Sequence, residues 1–427
     1  MKAHYLPQAT ALAAALALVG CGGGGGGGSH VTAGGAGILG IIQVPGISSA
    51  VTYSFDLGVV DPATGRYYVT DRTNKSIDVV DTNVNTNINS SMFITQFKPG
   101  FAGCNTASGT PVPTCGSGTN NDASGPDGID VVGQNLYVGD VNALWILDKT
   151  TGATVKKISI PSTPSFLRAD EGCFDADDNL YGISTPAAEH PFMTFVDTVT
   201  QAVVATVVMD DSSGGASAGL EACVYDHGTR KFFVNNDGST ANPRGETDGI
   251  PASVIAAARP GPVTLNFATI PGTSAYPLGA CDPTGLAKGP GTDLGVMCRQ
   301  GNVGETLTFM ILNATNGSVL ANLNIGGGDQ ATYDSVSNRY FLADNRWTAT
   351  GKSCAGGTAG TCPLTPVVGV VDAATRAIIG TLPNGANAHS IAVSGTNKKV
   401  VTPFTAPTAT GGGDGFPDGG ISLFTTM

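Results

Sequence analysis

The sequence predicts an all-β protein, a single seven-bladed β-propeller over residues 38–427, and three observations carry that prediction. A unit of short β-rich runs separated by turn residues recurs along the chain, the closest copies start 44 and 45 residues apart, and no stretch after the amino-terminal leader shows a helical period of helical length. A four-stranded blade takes roughly 40–45 residues, so each copy fits one blade.

The clearest copy runs Asp127-Gly128-Ile129-Asp130-Val131-Val132, a turn at Gly133-Gln134, then Leu136 to Asp140, Ala143 to Asp148, a turn at Gly152, and Val155 to Ile160. Runs rich in β-branched and aromatic residues, punctuated by such turns, read as strands. The same order returns from Asp56, Glu171, Glu221, Thr284, Asp329 and His389; taken with Asp127 these starts are spaced by 71, 44, 50, 63, 45 and 60 residues. The excess over the shortest spacing falls in Gly-, Ser- and Thr-rich stretches at Pro99 to Gly125, Gly238 to Pro251 and Thr348 to Pro366, each read as a surface loop. Seven starts predict seven blades, while the degeneracy of the later copies also admits six or eight. Ile38 to Val44 belongs to no copy and is expected to add a strand to the last blade, closing the ring and removing open sheet edges. Alternating apolar residues such as Tyr68, Ile77, Val79, Trp145 and Phe195 are expected between neighbouring sheets.

Tyr67 to Thr82 reads Tyr-Tyr-Val-Thr-Asp-Arg-Thr-Asn-Lys-Ser-Ile-Asp-Val-Val-Asp-Thr. This resembles the YVTN repeat of bacterial surface and periplasmic propellers and, more loosely, the NHL type. The match is good over one blade and partial over the other six, with Asp71 where that family usually has asparagine. The resemblance implies a propeller with an extracytoplasmic binding or scaffolding role, and it implies no reaction.

The leader has Lys2, an apolar run from Ala9 to Leu18, and Leu18-Val19-Gly20-Cys21. A run this short is a signal peptide and not a membrane span, which needs roughly 20 residues. The last four residues resemble the lipobox of bacterial lipoproteins, which implies cleavage and lipidation at Cys21 and a membrane held through its acyl chains. Gly22 follows instead of the aspartate that favours the inner membrane in that family, so the resemblance implies the outer membrane, facing periplasm or surface. Residues 1–21 are thus the signal peptide and its cysteine, and 22–37 a Gly-rich flexible tether.

Charged residues make up 13% of the chain, and Lys+Arg 21 against Asp+Glu 33 leaves a net charge of −12. That charge repels phosphate backbones, so nucleic acid is not an expected partner. Setting Cys21 aside leaves eight of nine cysteines, an even number that suits disulfides in an oxidising compartment. Cys104 with Cys115 and Cys354 with Cys362 bracket short loops and are paired locally. Cys281 and Cys298 flank a turn at residues 288–291 and would face each other in a hairpin, leaving Cys173 for Cys223. Sequence alone leaves the other pairings among those last four open.

In a propeller the starts of the innermost strands ring one mouth of the central channel. Asp56, Asp127, Glu171, Glu221, Asp329 and His389 hold six of these seven positions, beside Thr284. Gathered carboxylates repel unless a cation, water or hydrogen bonds offset the repulsion, so the ring is a candidate cation or ligand site with Ca²⁺ as the metal to consider. The competing reading is a structural polar plug. No cofactor is firmly implied. Asp175 to Asn179 lacks the glycine and glutamate of an EF-hand loop. The expected function is therefore a non-catalytic binding or scaffolding protein that takes a protein, glycan or small molecule on a loop face. The alternatives are a metal-dependent hydrolase or lactonase using the channel carboxylates, and a purely structural envelope protein.

Overall fold

The computed structural model describes residues 37–426 apart from 84–87, 89, 104–120 and 355–361. The leader, the tether up to residue 36 and the Cys104/Cys115 pair lie outside the described residues.

The strands form seven sheets, six of four strands and one of five. Blades 1 to 6 take residues 55–97, 129–159, 172–208, 220–277, 283–323 and 331–383, and blade 7 combines 392–425 with 38–42. Each blade's first strand contacts that of the next, and Ala392–Ser394 of blade 7 contacts Phe55–Asp61 of blade 1. The sheets therefore close into one wheel, as the repeat predicted. Ile38–Ile42 pairs antiparallel with Gly420–Thr425, setting Ile42 opposite Ile421, so the expected closing strand joins the two ends of the chain.

The core lies between the sheets. Tyr68, Ile77, Val79 and Trp145 pack with Leu136 and Val138 between blades 1 and 2, and Phe195 meets Phe232 at 4.9 Å between blades 3 and 4. Near the axis the first strands come too close for side chains. A Cβ on Gly128 would stand 2.1 Å from the carbonyl oxygen of Asp170, so only glycine lets blades 2 and 3 meet there.

One expected loop is part of a sheet. Of Gly238 to Pro251, the segment Glu246–Pro251 is the third strand of blade 4, although its polar sequence carries no strand pattern. Its buried polar side chains have partners on the neighbouring strand, where Thr247 donates to Asn235 at 2.8 Å and Asn236 donates to one oxygen of Asp248 at 2.8 Å, leaving the other Asp248 oxygen without a donor. The true insertion follows it, a short helix Ala252–Ala257 and a strand Val263–Asn266 that pairs parallel with the outer strand of blade 3.

Among the described residues three disulfides join Cys173 to Cys223, Cys281 to Cys298 and Cys354 to Cys362. The first ties the innermost strands of blades 3 and 4 across 50 residues of chain, and the second closes the hairpin of blade 5.

Candidate ligand site at the channel mouth

The strand geometry explains which side chains reach the axis. The first strands of blades 1, 4 and 5 break register between Phe55 and Gly58, Leu220 and Cys223, and Pro283 and Leu286. Such irregularities re-aim the side chains beside them, and Asp56, Glu221 and Thr284 sit inside these breaks. Asp127, Glu171, Asp329 and His389 instead precede first strands that begin at Ile129, Gly172, Ala331 and Ala392.

Asp56, Glu171, Glu221, Asp329 and His389 line one cavity of about 280 Å³ at the mouth. Asp127 lies outside its lining, wholly buried and bonded to Arg72 and Ser124. Thr284 is also wholly buried, its hydroxyl donating to the carbonyl of Gly328 at 2.7 Å.

The mouth also holds Arg72, Arg168, Arg299 and Arg346, which the inspection of strand starts does not reach. Arg72 and Arg299 directly follow the second strands Arg66–Asp71 and Asp293–Cys298, and Arg346 lies two residues past Arg339–Asp344. Aligning the ends of the second strands is the signal that finds these three, whereas Arg168 lies just ahead of the first strand of blade 3. With Asp170 and Asp237 the hub carries seven carboxylates against these four guanidinium groups, so the acidic excess persists in a mixed field.

On one side the charges are matched. Arg72 Nε donates to Asp127 at 2.8 Å while its Nη2 lies 2.9 Å from Asp56, so two carboxylates share one guanidinium. Burial would raise Asp56, but Arg72, then His389 and Arg168, hold it at about 2. Burial, joined by the Asp56 charge, pushes Asp127 up to about 6 despite Arg72. Arg168 pairs with Asp170 at 2.7 Å, yet burial and the neighbouring aspartates push Asp170 up to about 8. His389 stacks on Phe55 at 4.6 Å, and its Nδ1 faces the Asn387 carbonyl at 2.8 Å. That ring nitrogen must therefore carry a proton, which leaves Nε2 facing Asp56 at 3.6 Å.

On the other side they are not. Glu171 and Asp329 make no side-chain hydrogen bond or ion pair among the described residues, and Glu221 meets Arg299 only at 3.8 Å. Burial within the ring, then the charge of neighbouring carboxylates, pushes Glu171 and Glu221 well above the usual range. The Arg346 side chain makes no hydrogen bond or close ion pair among the described residues, although its backbone N–H donates to the Gly327 carbonyl at 2.9 Å, and Asn345, 8% exposed, has a side-chain oxygen with no donor.

Asp56, Asp127 and Asp170 bring oxygens within 4.8 Å of one another, a separation a Ca²⁺ ion can bridge. Arg72 already bonds two of them and Arg168 the third, so this trio does not fit a metal well.

The wheel, its closure and its hub are those of a seven-bladed β-propeller. No family model matches the chain, and no curated protein matches it. Among solved structures it is similar to hydrazine synthase of Kuenenia stuttgartiensis, with TM-score 0.58 and 11% identity over 86% of this chain and 96% of that one. A chain of the mitotic checkpoint complex superposes with TM-score 0.54 and 10% identity over 91% of each. The WD40 domain of Neurospora crassa Pan2 does so with TM-score 0.53 and 8% identity over 90% of this chain and 98% of that one. At such identities the likeness is one of fold alone.

Proposed function

We propose that the protein is an exported, lipid-anchored propeller of the bacterial cell envelope that acts as a non-catalytic binding protein and seats a small charged ligand at its channel mouth. The observation that carries this reading is the unmatched half of the hub. Among the described residues the Glu171 and Asp329 side chains line the cavity with no hydrogen-bond or ion-pair partner, while Arg72 and Arg168 are taken up by Asp56, Asp127 and Asp170. A structural plug would satisfy its carboxylates internally, since buried charges are costly unless paired. Export and anchoring rest on the leader and Cys21, in agreement with paired cysteines at Cys173, Cys281 and Cys354. Metal-dependent hydrolysis has the Asp56, Asp127 and Asp170 grouping in its favour and their arginine partners against it.

Thermal shift of the purified chain against putrescine, citrate, free amino acids, calcium chloride and glucose tests the reading. At least one charged class should raise the unfolding temperature of the wild type and lose that effect in the Glu171→Gln/Glu221→Gln variant. A flat response to every charged class at millimolar concentration would remove the proposal.

A further inference from the structure

Resting on the lipid anchor of the proposed function, we propose that the outer rim where blades 6 and 7 meet is the face that lies on the membrane, with the acyl region of the bilayer as its occupant. Two observations lead there, and neither involves the channel mouth.

The first is where the chain enters the fold. Gly37 is pinned to blade 7: its carbonyl accepts from the Thr425 N–H at 3.2 Å, and its own N–H donates to the Thr425 hydroxyl at 3.3 Å. Gly37 and Ile38 line a cleft of about 470 Å³ whose other walls are Leu382 and Pro383 of blade 6, Phe424 of blade 7 and the loop 409–414. Asp414 is the one charged residue in that lining. An acylated Cys21 is joined to Gly37 by residues 22–36, which span at most about 55 Å in any conformation. The anchor therefore keeps this part of the wheel within reach of the bilayer, and contact there becomes an intramolecular event.

The second is a pair of exposed apolar doublets. Among the described residues, large apolar side chains that are adjacent in sequence and both exposed occur at two places: Ile38 with Leu39, each 36% exposed, and Ile378 with Ile379, at 41% and 45%. Both doublets lie on strands that wall the cleft, Ile38–Ile42 being the outermost strand of blade 7 and Ala377–Pro383 that of blade 6. Leu39 and Ile379 each fall in a break of register, which takes them out of the ladder. Neither strand carries a charge, whereas the outer strand of blade 2 holds Lys156 and Lys157, a common guard of a sheet edge that stays in water.

The net charge of −12 opposes attraction to anionic headgroups, so the contact is one of apolar insertion, of the kind that sinks aliphatic side chains just below the headgroups. A wheel lying on this rim turns its channel axis along the membrane plane and leaves the mouth open to the side.

Fluorescence of the full lipidated chain in phosphatidylethanolamine and phosphatidylglycerol vesicles tests this. A bimane label on Leu39→Cys or on Ile379→Cys should be quenched by acyl-brominated lipid at least threefold more than one on Val199→Cys, at a 74% exposed turn of blade 3. Salt at 1 M should leave that difference unchanged, and Leu39→Glu should at least halve the quenching at position 379. If the protein floats with the vesicles but positions 39 and 379 are quenched no more than 199, the rim contact is wrong and the anchor stands. If the protein does not float with them, the anchor falls and the rim contact with it. Labels at position 39 that quench one another as the protein becomes denser on the vesicle, with no response to bromine, would give the cleft to a second copy and overturn the lipid assignment. Circular dichroism of each variant shows that it has kept its fold.

Discussion

Arg72, just past the second strand of blade 1, donates through Nε to Asp127 at the threshold of blade 2, 2.8 Å away, with both side chains buried. The same guanidinium holds Asp56, so one cation ties two blades and neutralises charge beside the axis.

Removing that cation should be expensive. Arg72→Met leaves Asp56 and Asp127 buried without their partner, and breaking a buried pair typically costs about 3–5 kcal/mol. Urea unfolding at neutral pH should show a loss of that order, partly restored by adding Asp127→Asn. A loss under about 1 kcal/mol would mean that water replaces the guanidinium freely.

The pH dependence has a definite sign. Asp127 and Asp170 titrate at about 6 and about 8 in the fold, above the ordinary 3.8, and Glu171 and Glu221 are also raised. Between the two values the folded chain binds more protons than the unfolded one, so stability falls as pH rises. Asp56, held at about 2, works oppositely: its contribution is present above the ordinary value and lost as pH falls towards 2. The unfolding temperature should therefore rise from pH about 8 to about 5, then drop in stronger acid. Glu171→Gln/Glu221→Gln should flatten the first limb and stabilise the chain near pH 8 by roughly 0.5–2 kcal/mol. An unfolding temperature that falls steadily over the first limb would refute this.

The disulfides should not be equal. Cys173 and Cys223 close 50 residues whereas Cys354 and Cys362 close 8. On the chain-entropy account the longer loop stabilises by on the order of 4 kcal/mol and the shorter by roughly 2.5. Paired serine variants compared by denaturant unfolding should rank in that order, and the reverse ranking would point to blade 3 and blade 4 holding together without the bond.

Lipidation has a direct readout. Mass spectrometry of the membrane-extracted protein should find an amino terminus at Cys21 carrying acyl chains, and Cys21→Ser should move the protein from the membrane to the soluble fraction. An unmodified terminus upstream of Cys21 would contradict the anchor.

The blades were legible because each is a local unit: Tyr67 to Asp81 shows its strands and turn without reference to distant chain, and Ile38 to Val44 stands out as an apolar run with no copy of its own. The strand Glu246–Pro251 was not, because Thr247 and Asp248 are buried against hydrogen-bonding partners on the neighbouring strand, and burial of polar side chains leaves no hydrophobic pattern. The hub was half legible. Aligning first strands reaches Glu171, Glu221 and Asp329, but their opposing charges arrive from second-strand ends, where Arg72, Arg299 and Arg346 look like ordinary turn residues. Asp127 shows the limit of alignment, since its position in the repeat matches the ring while Arg72 stands between it and the cavity.

The ligand seat itself is tested most directly by proton release. The cationic member of the panel that binds best should be titrated calorimetrically in two buffers of different ionisation enthalpy near neutral pH. Seating a cation beside Glu171 and Glu221 favours their charged forms, so protons should leave on binding and affinity should rise with pH. Binding with no proton release, unchanged in Glu171→Gln/Glu221→Gln, would place the ligand elsewhere on the wheel.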